Sequence, residues 1–246
     1  MRHILTSMAD ALFPRLCPVC GCSMASGERL MCTHCMARAP RAGMHMQPDN
    51  SIVARIARPG LRLELAAAWL DYVRDSPYAG IVLDAKFNNM PRLAREAGRI
   101  FAREMQADGV PSLNDIDVLL PVPLHWRRLL RRGYNQSEEL ALGLADVLAV
   151  PVGDNLRATR AHSTQTRRTA EERRRNVSGV IAVRHPEELA GLHVAVVDDV
   201  VTTGSTMADA LRAISAVAQP RALSVLALAA VPADSWRFPA PTGVEK

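Results

Sequence analysis

The chain has 246 residues, 48% hydrophobic and 22% charged, a make-up that suits a globular protein with one sizeable core and a small appendage. Its formal net charge of +5 is carried almost wholly by arginine, because Lys86 and Lys246 are the only lysines. No apolar run approaches the ~18 residues of a membrane span, Asp10 and the lack of a cleavage site argue against a signal peptide, and five cysteines confined to residues 17–35 exclude a spread disulfide framework, so the cytoplasm is the expected compartment.

In chain order, Ile4, Met8 and Leu12 are spaced four apart and predict a short amphipathic helix. The pairs "CPVC" (17–20) and "CTHC" (32–35) follow, with eleven residues between them. Two such pairs can bring four thiolates onto one tetrahedral ion, closed by a short β-ribbon, in a unit too small to fold on a core of its own. Cys17, Cys20, Cys32 and Cys35 are therefore the expected ligands of a structural zinc, with Cys22 and His34 close enough to compete. A redox dithiol is the competing reading, which fits one pair better than two. Residues 1–36 then form a helix and zinc ribbon, and residues 37–59, rich in Pro, Gly and Ala without apolar periodicity, read as a linker.

From 60 to 233 strand and helix alternate. "LELAAAWLDY" reads as a strand, and Ser76 with Pro77 opens a helix that leads to Lys86. "PRLAREAGRIFAREMQ" is an amphipathic helix with Leu93, Ala97, Ile100, Phe101 and Met105 on one side. "DIDVLLPVP" reads as a buried strand stopped by prolines, "NQSEELALGLADVLAV" as a helix, and "LHVAVVDD" as a buried strand ending at two acids. "GSTMADALRAISAVA" and "ALSVLALAAV" complete the series as helix and strand. Continuous Val/Leu runs separated by helices imply an α/β fold, a parallel sheet flanked by helices. Residues 234–246 read as a flexible tail.

The stretch "VAVVDDVVTTGST" (194–206) carries the clearest chemistry. Ligands of open α/β sheets bind beyond the carboxyl ends of strands, where Asp198 and Asp199 are expected. Paired carboxylates suit a ribose diol. The hydroxyl-rich loop that follows turns into a helix whose first amides can hold a phosphate, and Gly204 lets the backbone approach the anion. Solvated charges and simple helix capping are the plainer alternative.

These residues resemble the phosphoribosyl pyrophosphate (PRPP) motif of the type I phosphoribosyltransferases. The resemblance implies that Asp198 and Asp199 contact the ribose hydroxyls and that Thr202, Thr203, Gly204, Ser205 and Thr206 wrap the 5-phosphate. Hypoxanthine/guanine-specific members carry a further acid where this chain has Thr202, so proton transfer to a purine must come from elsewhere. "PVPLH…RRGYNQSEELA", "HSTQTRRTAEERRRNVSG", "YAGIVLDAKFNNMPRLA" and the cysteine-rich start extend the likeness to the ComF family, which is tied to DNA uptake.

The family implies a type I phosphoribosyltransferase-like domain with an N-terminal zinc ribbon, binding PRPP with Mg²⁺. Pro123 and the turn after it, with Arg127, Arg128, Arg131 and Arg132, would face the pyrophosphate. Residues 157–175 hold seven arginines against two glutamates, and in transferases of this fold a loop in this region closes over pyrophosphate. Arg167 and Arg168 are the catalytic candidates there, assisting the leaving group, and Lys86 is a candidate phosphate contact. Two functions stay open. One is transfer of ribose 5-phosphate to an unknown acceptor. The other is a non-catalytic PRPP or nucleotide sensor that holds single-stranded DNA or a helicase-like competence protein through its basic segments.

Overall fold

A computed structural model describes residues 15–56, 61–81, 90–159 and 180–232. The expected helix around Ile4, Lys86, Arg167, Arg168 and the tail from 234 lie outside the described residues.

Six strands are described: β1 (Leu65–Asp71), β2 (Val118–Pro121), β3 (Leu156–Ala158), β4 (Ile181–Val183), β5 (His193–Val201) and β6 (Ala222–Ala230). Six α-helices accompany them: α1 (Thr33–Ala37), α2 (Ser51–Ile56), α3 (Pro91–Ala107), α4 (Trp126–Arg132), α5 (Gln136–Leu148) and α6 (Ser205–Val217). The main sheet has the order β1-β6-β5-β2 with every pairing parallel, as the buried apolar runs imply. β3 and β4 form a separate antiparallel pair. No described helix is long and apolar enough to cross a membrane.

Alternation along the strands divides the core between the two faces of the sheet. On one face Ala67 and Trp69 of β1, Leu119 of β2, and Ala195 and Val197 of β5 pack with Phe101 and Met105 of α3 and Leu140 and Leu144 of α5. On the other, Ala66, Ala68, Leu120, Val194 and Val196 meet Ile52 and Ile56 of α2 and Met207, Leu211 and Ile214 of α6. α3 and α5 touch backbone to backbone at two glycines. A Cβ on Gly143 would stand 2.0 Å from the Arg95 carbonyl oxygen, and one on Gly98 would stand 2.4 Å from that of Leu140. Arg95 and Arg99 close the same seam by ion pairs to Asp146 at 2.9 and 2.6 Å.

Two expectations change. The strand read as ending at the acids continues through them to Val201, because β6 is long enough to keep pairing: Asp198 stands opposite Ala227 and Val201 opposite Ala230. The segment read as a linker is built into the fold. Pro40 and Ala42 hydrogen-bond to β1, through Asp71 N (2.8 Å) and to Trp69 O (3.0 Å). The Arg41 guanidinium lies over the Trp69 ring and grips Glu104 through Nε and Nη2 at 2.8 and 2.7 Å, while Glu104 also accepts from Trp69 Nε1. Buried Asn50 donates to the carbonyls of Met44, Gln47 and Ala66 and caps α2 through its Oδ1. The stretch up to Asn50 is held by single side-chain anchors and shows no helical or strand period, so periodicity could not reveal it.

Gly143→Ala should lower stability by about 3 kcal/mol, read from the urea midpoint, because backbone cannot yield as a side chain can. An unchanged midpoint would show that the two helices slide freely. His193 supplies a pH dependence. It is fully buried, its Nε2 is 2.7 Å from Ser224 Oγ, and burial, aided by Arg221, pushes its pKa below the usual value against Glu64 and Asp117. The folded pKa is lower than the unfolded one, so stability is complete above about pH 6.5 and falls as pH drops through the folded pKa. His193→Gln should flatten that acid limb in denaturation curves recorded as pH falls below about 6.5; a limb of unchanged slope would assign it to other groups.

Candidate functional site

The four expected thiolates converge. The Sγ atoms of Cys17, Cys20, Cys32 and Cys35 all lie within 4.8 Å of one another, and among the described residues this is the group able to hold a metal ion; Cys22 and His34 are not part of it. A tetrahedral zinc with Zn–S bonds of about 2.3 Å needs S···S edges of about 3.8 Å, and Cys20 and Cys32 are 3.7 Å apart. The chain turns tightly to achieve this, with Cys17 N donating to Cys22 O and Gly21 N to Cys17 O, both at 2.8 Å. Leu16 and Ser23 form a single antiparallel bridge in place of an extended ribbon.

Burial raises the Cys17 thiol, but the amides of Cys32, Cys20 and Val19 and the Cys20 side chain outweigh it and bring the pKa to about 6. Burial and the neighbouring thiols Cys20, Cys32 and Cys17 push Cys35 well above the ordinary thiol range. The set can thus bind a metal such as zinc, and a cation would displace the protons that remain. The cysteine knuckle packs against the sheet: Cys17, Leu30, Met31 and Cys35 join the core with Trp69 and Phe101, and Tyr78 Oη donates to Cys35 O at 3.0 Å.

A second site lies at the carboxyl edge of the sheet. One cleft is walled by Pro123, His125, Arg128, Arg132, Gln136, Ser137, Asp198, Asp199 and Thr206, with Ala158, Val180 and Ile181 from the β3–β4 pair on its rim. β2 delivers the turn at 121–125, tied to β5 by Val122 N to Val197 O at 2.8 Å. Asn135 fixes the next helix to that turn, donating to Val122 O at 3.0 Å while its Oδ1 accepts from Ser137 N. Ser137 then donates its hydroxyl to Asp198 Oδ1 at 2.9 Å, and the Asp199 amide donates to the same oxygen at 2.8 Å. Two donors on one oxygen hold the carboxylate in one orientation.

Arg132 gives the cleft its positive side. Nη1 donates to Gln136 Oε1 at 2.9 Å, and burial lowers its pKa while the Asp199 charge works against that shift. Beyond the acids, Thr202, Thr203 and Ser205 are exposed, and Thr203 Oγ1 and Ser205 Oγ are 3.1 Å apart. Gly204 has φ of +75°, a left-handed conformation that favours glycine, and its carbonyl accepts from Ala208 N in the first turn of α6. The loop leads into the amino end of a 13-residue helix, and its Thr206 lines the cleft, a suitable arrangement for an anion.

Asp198, Asp199, Pro123 and Thr206 line this one cleft, whereas Thr202, Thr203, Gly204 and Ser205 are not among its walls. Of the arginines after Pro123, Arg128 and Arg132 line the cleft, while Arg127 stacks on Trp126 with 5.2 Å to the ring centroid. Sequence reasoning missed Ser137 and Gln136. A hydroxyl in the first turn of a helix looks like part of a cap, and only the packing of α5 against β5 carries it to Asp198.

Comparison with known proteins places these observations among relatives. Residues 130–233 match the phosphoribosyl transferase domain. The DNA utilization protein YhgH of Salmonella typhimurium is 33% identical over 206 residues, covering 80% of this chain and 88% of that one. The YhgH protein of Escherichia coli (strain K12) is 31% identical over 204 residues with the same coverage. Competence protein F of Haemophilus influenzae is 33% identical over 135 residues, 53% of this chain and 58% of its own.

Cys17→Ser should abolish stoichiometric zinc, measured by atomic absorption on purified protein, and speed proteolysis near residue 20. A full metal complement in that variant would mean that Cys22 or His34 takes the vacant position.

Proposed function

Because this chain belongs to the ComF-like family, with its phosphoribosyl transferase domain, we propose that its cleft binds PRPP and transfers ribose 5-phosphate to an acceptor. The observation that carries this reading is the Ser137–Asp198 hydrogen bond, which sets an oriented acid beside Asp199 between the turn after β2 and the loop before α6. Asp198 and Asp199 hold the ribose 2′- and 3′-hydroxyls, and Thr202, Thr203, Gly204, Ser205 and Thr206 enclose the 5-phosphate. Pro123, Arg128 and Arg132 stand where the pyrophosphate would lie. In the reaction the bond from C1′ to the pyrophosphate oxygen breaks, the electron pair leaves with pyrophosphate, and the acceptor forms its bond to C1′. The arginines stabilise the departing charge, and the acids fix the sugar, so positioning and electrostatics supply the catalysis.

Asp198 and Asp199 are oxygen donors of the kind Mg²⁺ accepts, and the ion would enter with PRPP and offset the pyrophosphate charge. Arg167 and Arg168 are assigned to the same leaving group by family resemblance alone. Lys86 is assigned to substrate phosphate on the resemblance alone. Zinc on the four cysteines is structural, because four thiolates leave no coordination position for a substrate. The setting is the cytoplasm, where thiolates stay reduced. The names of the relatives supply a link to DNA utilization and competence.

A second reading has its own support. α4 buries none of its residues, leaving Trp126 58% and Leu130 78% exposed among Arg127, Arg128 and Arg131 at the cleft mouth. An exposed indole flanked by arginines suits stacking and phosphate contact with single-stranded DNA, or docking of a helicase-like partner. The two readings separate in binding assays, since DNA affinity should fall steeply with salt and should not need Asp198.

The double variant Asp198→Asn/Asp199→Asn should lose PRPP binding, read as the absence of the melting-temperature rise that PRPP with Mg²⁺ gives the parent protein. Zinc content should be unchanged. An unaltered PRPP-dependent rise would refute the roles given to the two acids.

A further inference from the structure

The 5-phosphate loop follows β5, yet none of residues 202–206 carries a charge. What stands behind the loop comes from the opposite end of the chain. The Arg55 guanidinium, in the last turn of α2, donates from Nη2 to Val231 O and from Nη1 to Val201 O at 3.5 Å. These carbonyls sit where β6 and β5 end, and Val231 N in turn donates to Val201 O at 3.0 Å. One planar fork therefore spans both strand ends at the point where the loop departs.

The same helix fills the space behind the loop's turning point. A Cβ built on Gly204 would meet Arg55 Cβ and Ile56 Cγ1, each at 3.2 Å, and Ile56 is fully buried. The backbone thus turns through its left-handed residue directly against α2 and has no room to relax backward. α2 is itself held by the Asn50 cap and by Ile52 in the core. Burial pushes the Arg55 pKa down, so the cation is held there against a desolvation cost.

We propose that Arg55 is a positioning residue for the 5-phosphate, holding the ends of β5 and β6 together and bracing the loop at Gly204 so that its amides face the anion. The proposal rests on the PRPP reading of the cleft and adds to it a contribution from the segment that joins the cysteine cluster to the sheet. It makes a ligand-specific demand. Loss of the brace should harm ligands that carry the 5-phosphate and spare those that occupy only the pyrophosphate side near Arg128 and Arg132.

The test titrates the zinc-loaded full chain calorimetrically with ribose 5-phosphate, PRPP and inorganic pyrophosphate, each with Mg²⁺. Arg55→Ala should weaken ribose 5-phosphate and PRPP by about tenfold or more, with pyrophosphate affinity unchanged and Arg55→Lys recovering only part of the loss. Gly204→Ala approaches the same contact from the loop side and should show the same selectivity even if Arg55→Ala proves too unstable to purify. Equal losses for all three ligands, or parental affinity for ribose 5-phosphate in the Arg55 variants, would overturn the role of Arg55. Failure of the parent protein to bind PRPP at all would instead sink the reading of the cleft on which the role depends.

Discussion

All four strands of the main sheet run in the same direction, so their carboxyl ends must open onto a single edge. That constraint places the turn after β2, the acids of β5, the loop before α6 and the chain leaving β6 along one edge, with the cleft between the first two. Antiparallel pairing of any neighbour would send one of these turns to the far side. The parallel order in turn requires helices on both faces, and the two apolar cores supply the burial that holds the edge in shape.

Precision at that edge comes from polar ties between elements. Asn135 joins the turn after β2 to the start of α5, and Ser137 joins the start of α5 to the end of β5. Arg55 joins the ends of β5 and β6. Each tie uses a main-chain carbonyl or a carboxylate already exposed by the end of a strand, so the ties consume polar groups that burial would otherwise leave costly. The seam of Gly98 and Gly143 does the same work by shape, bringing α3 close enough to α5 for Arg95 and Arg99 to reach Asp146.

The cysteine cluster and the cleft are parts of one packed body. The knuckle contributes Cys17, Leu30 and Cys35 to the core, Arg41 fastens the following chain to Trp69 and Glu104, and Asn50 starts the helix whose last residues pack against Gly204. A chain of anchored contacts therefore runs from the four clustered thiols to the loop before α6. The exposed face of α4 stands outside this network and offers its indole and arginines at the cleft mouth.

Local chemistry was legible in the sequence because it repeats along a few consecutive residues. Val and Leu runs marked β5 and β6, the 3.6-residue period marked α3, the paired CxxC spacing marked Cys17, Cys20, Cys32 and Cys35, and the order of acids, glycine and hydroxyls marked 198–206. Tertiary structure alone decided that residues 38–50 are strapped onto β1, that β5 continues past its acids, that Ser137 meets Asp198, and that Arg55 meets a carbonyl 146 residues away. The reason is physical: period and spacing report forces between near neighbours along the chain. A single side chain anchoring to a distant backbone group leaves no pattern in its own surroundings, and its partner is set by how the sheet and helices pack.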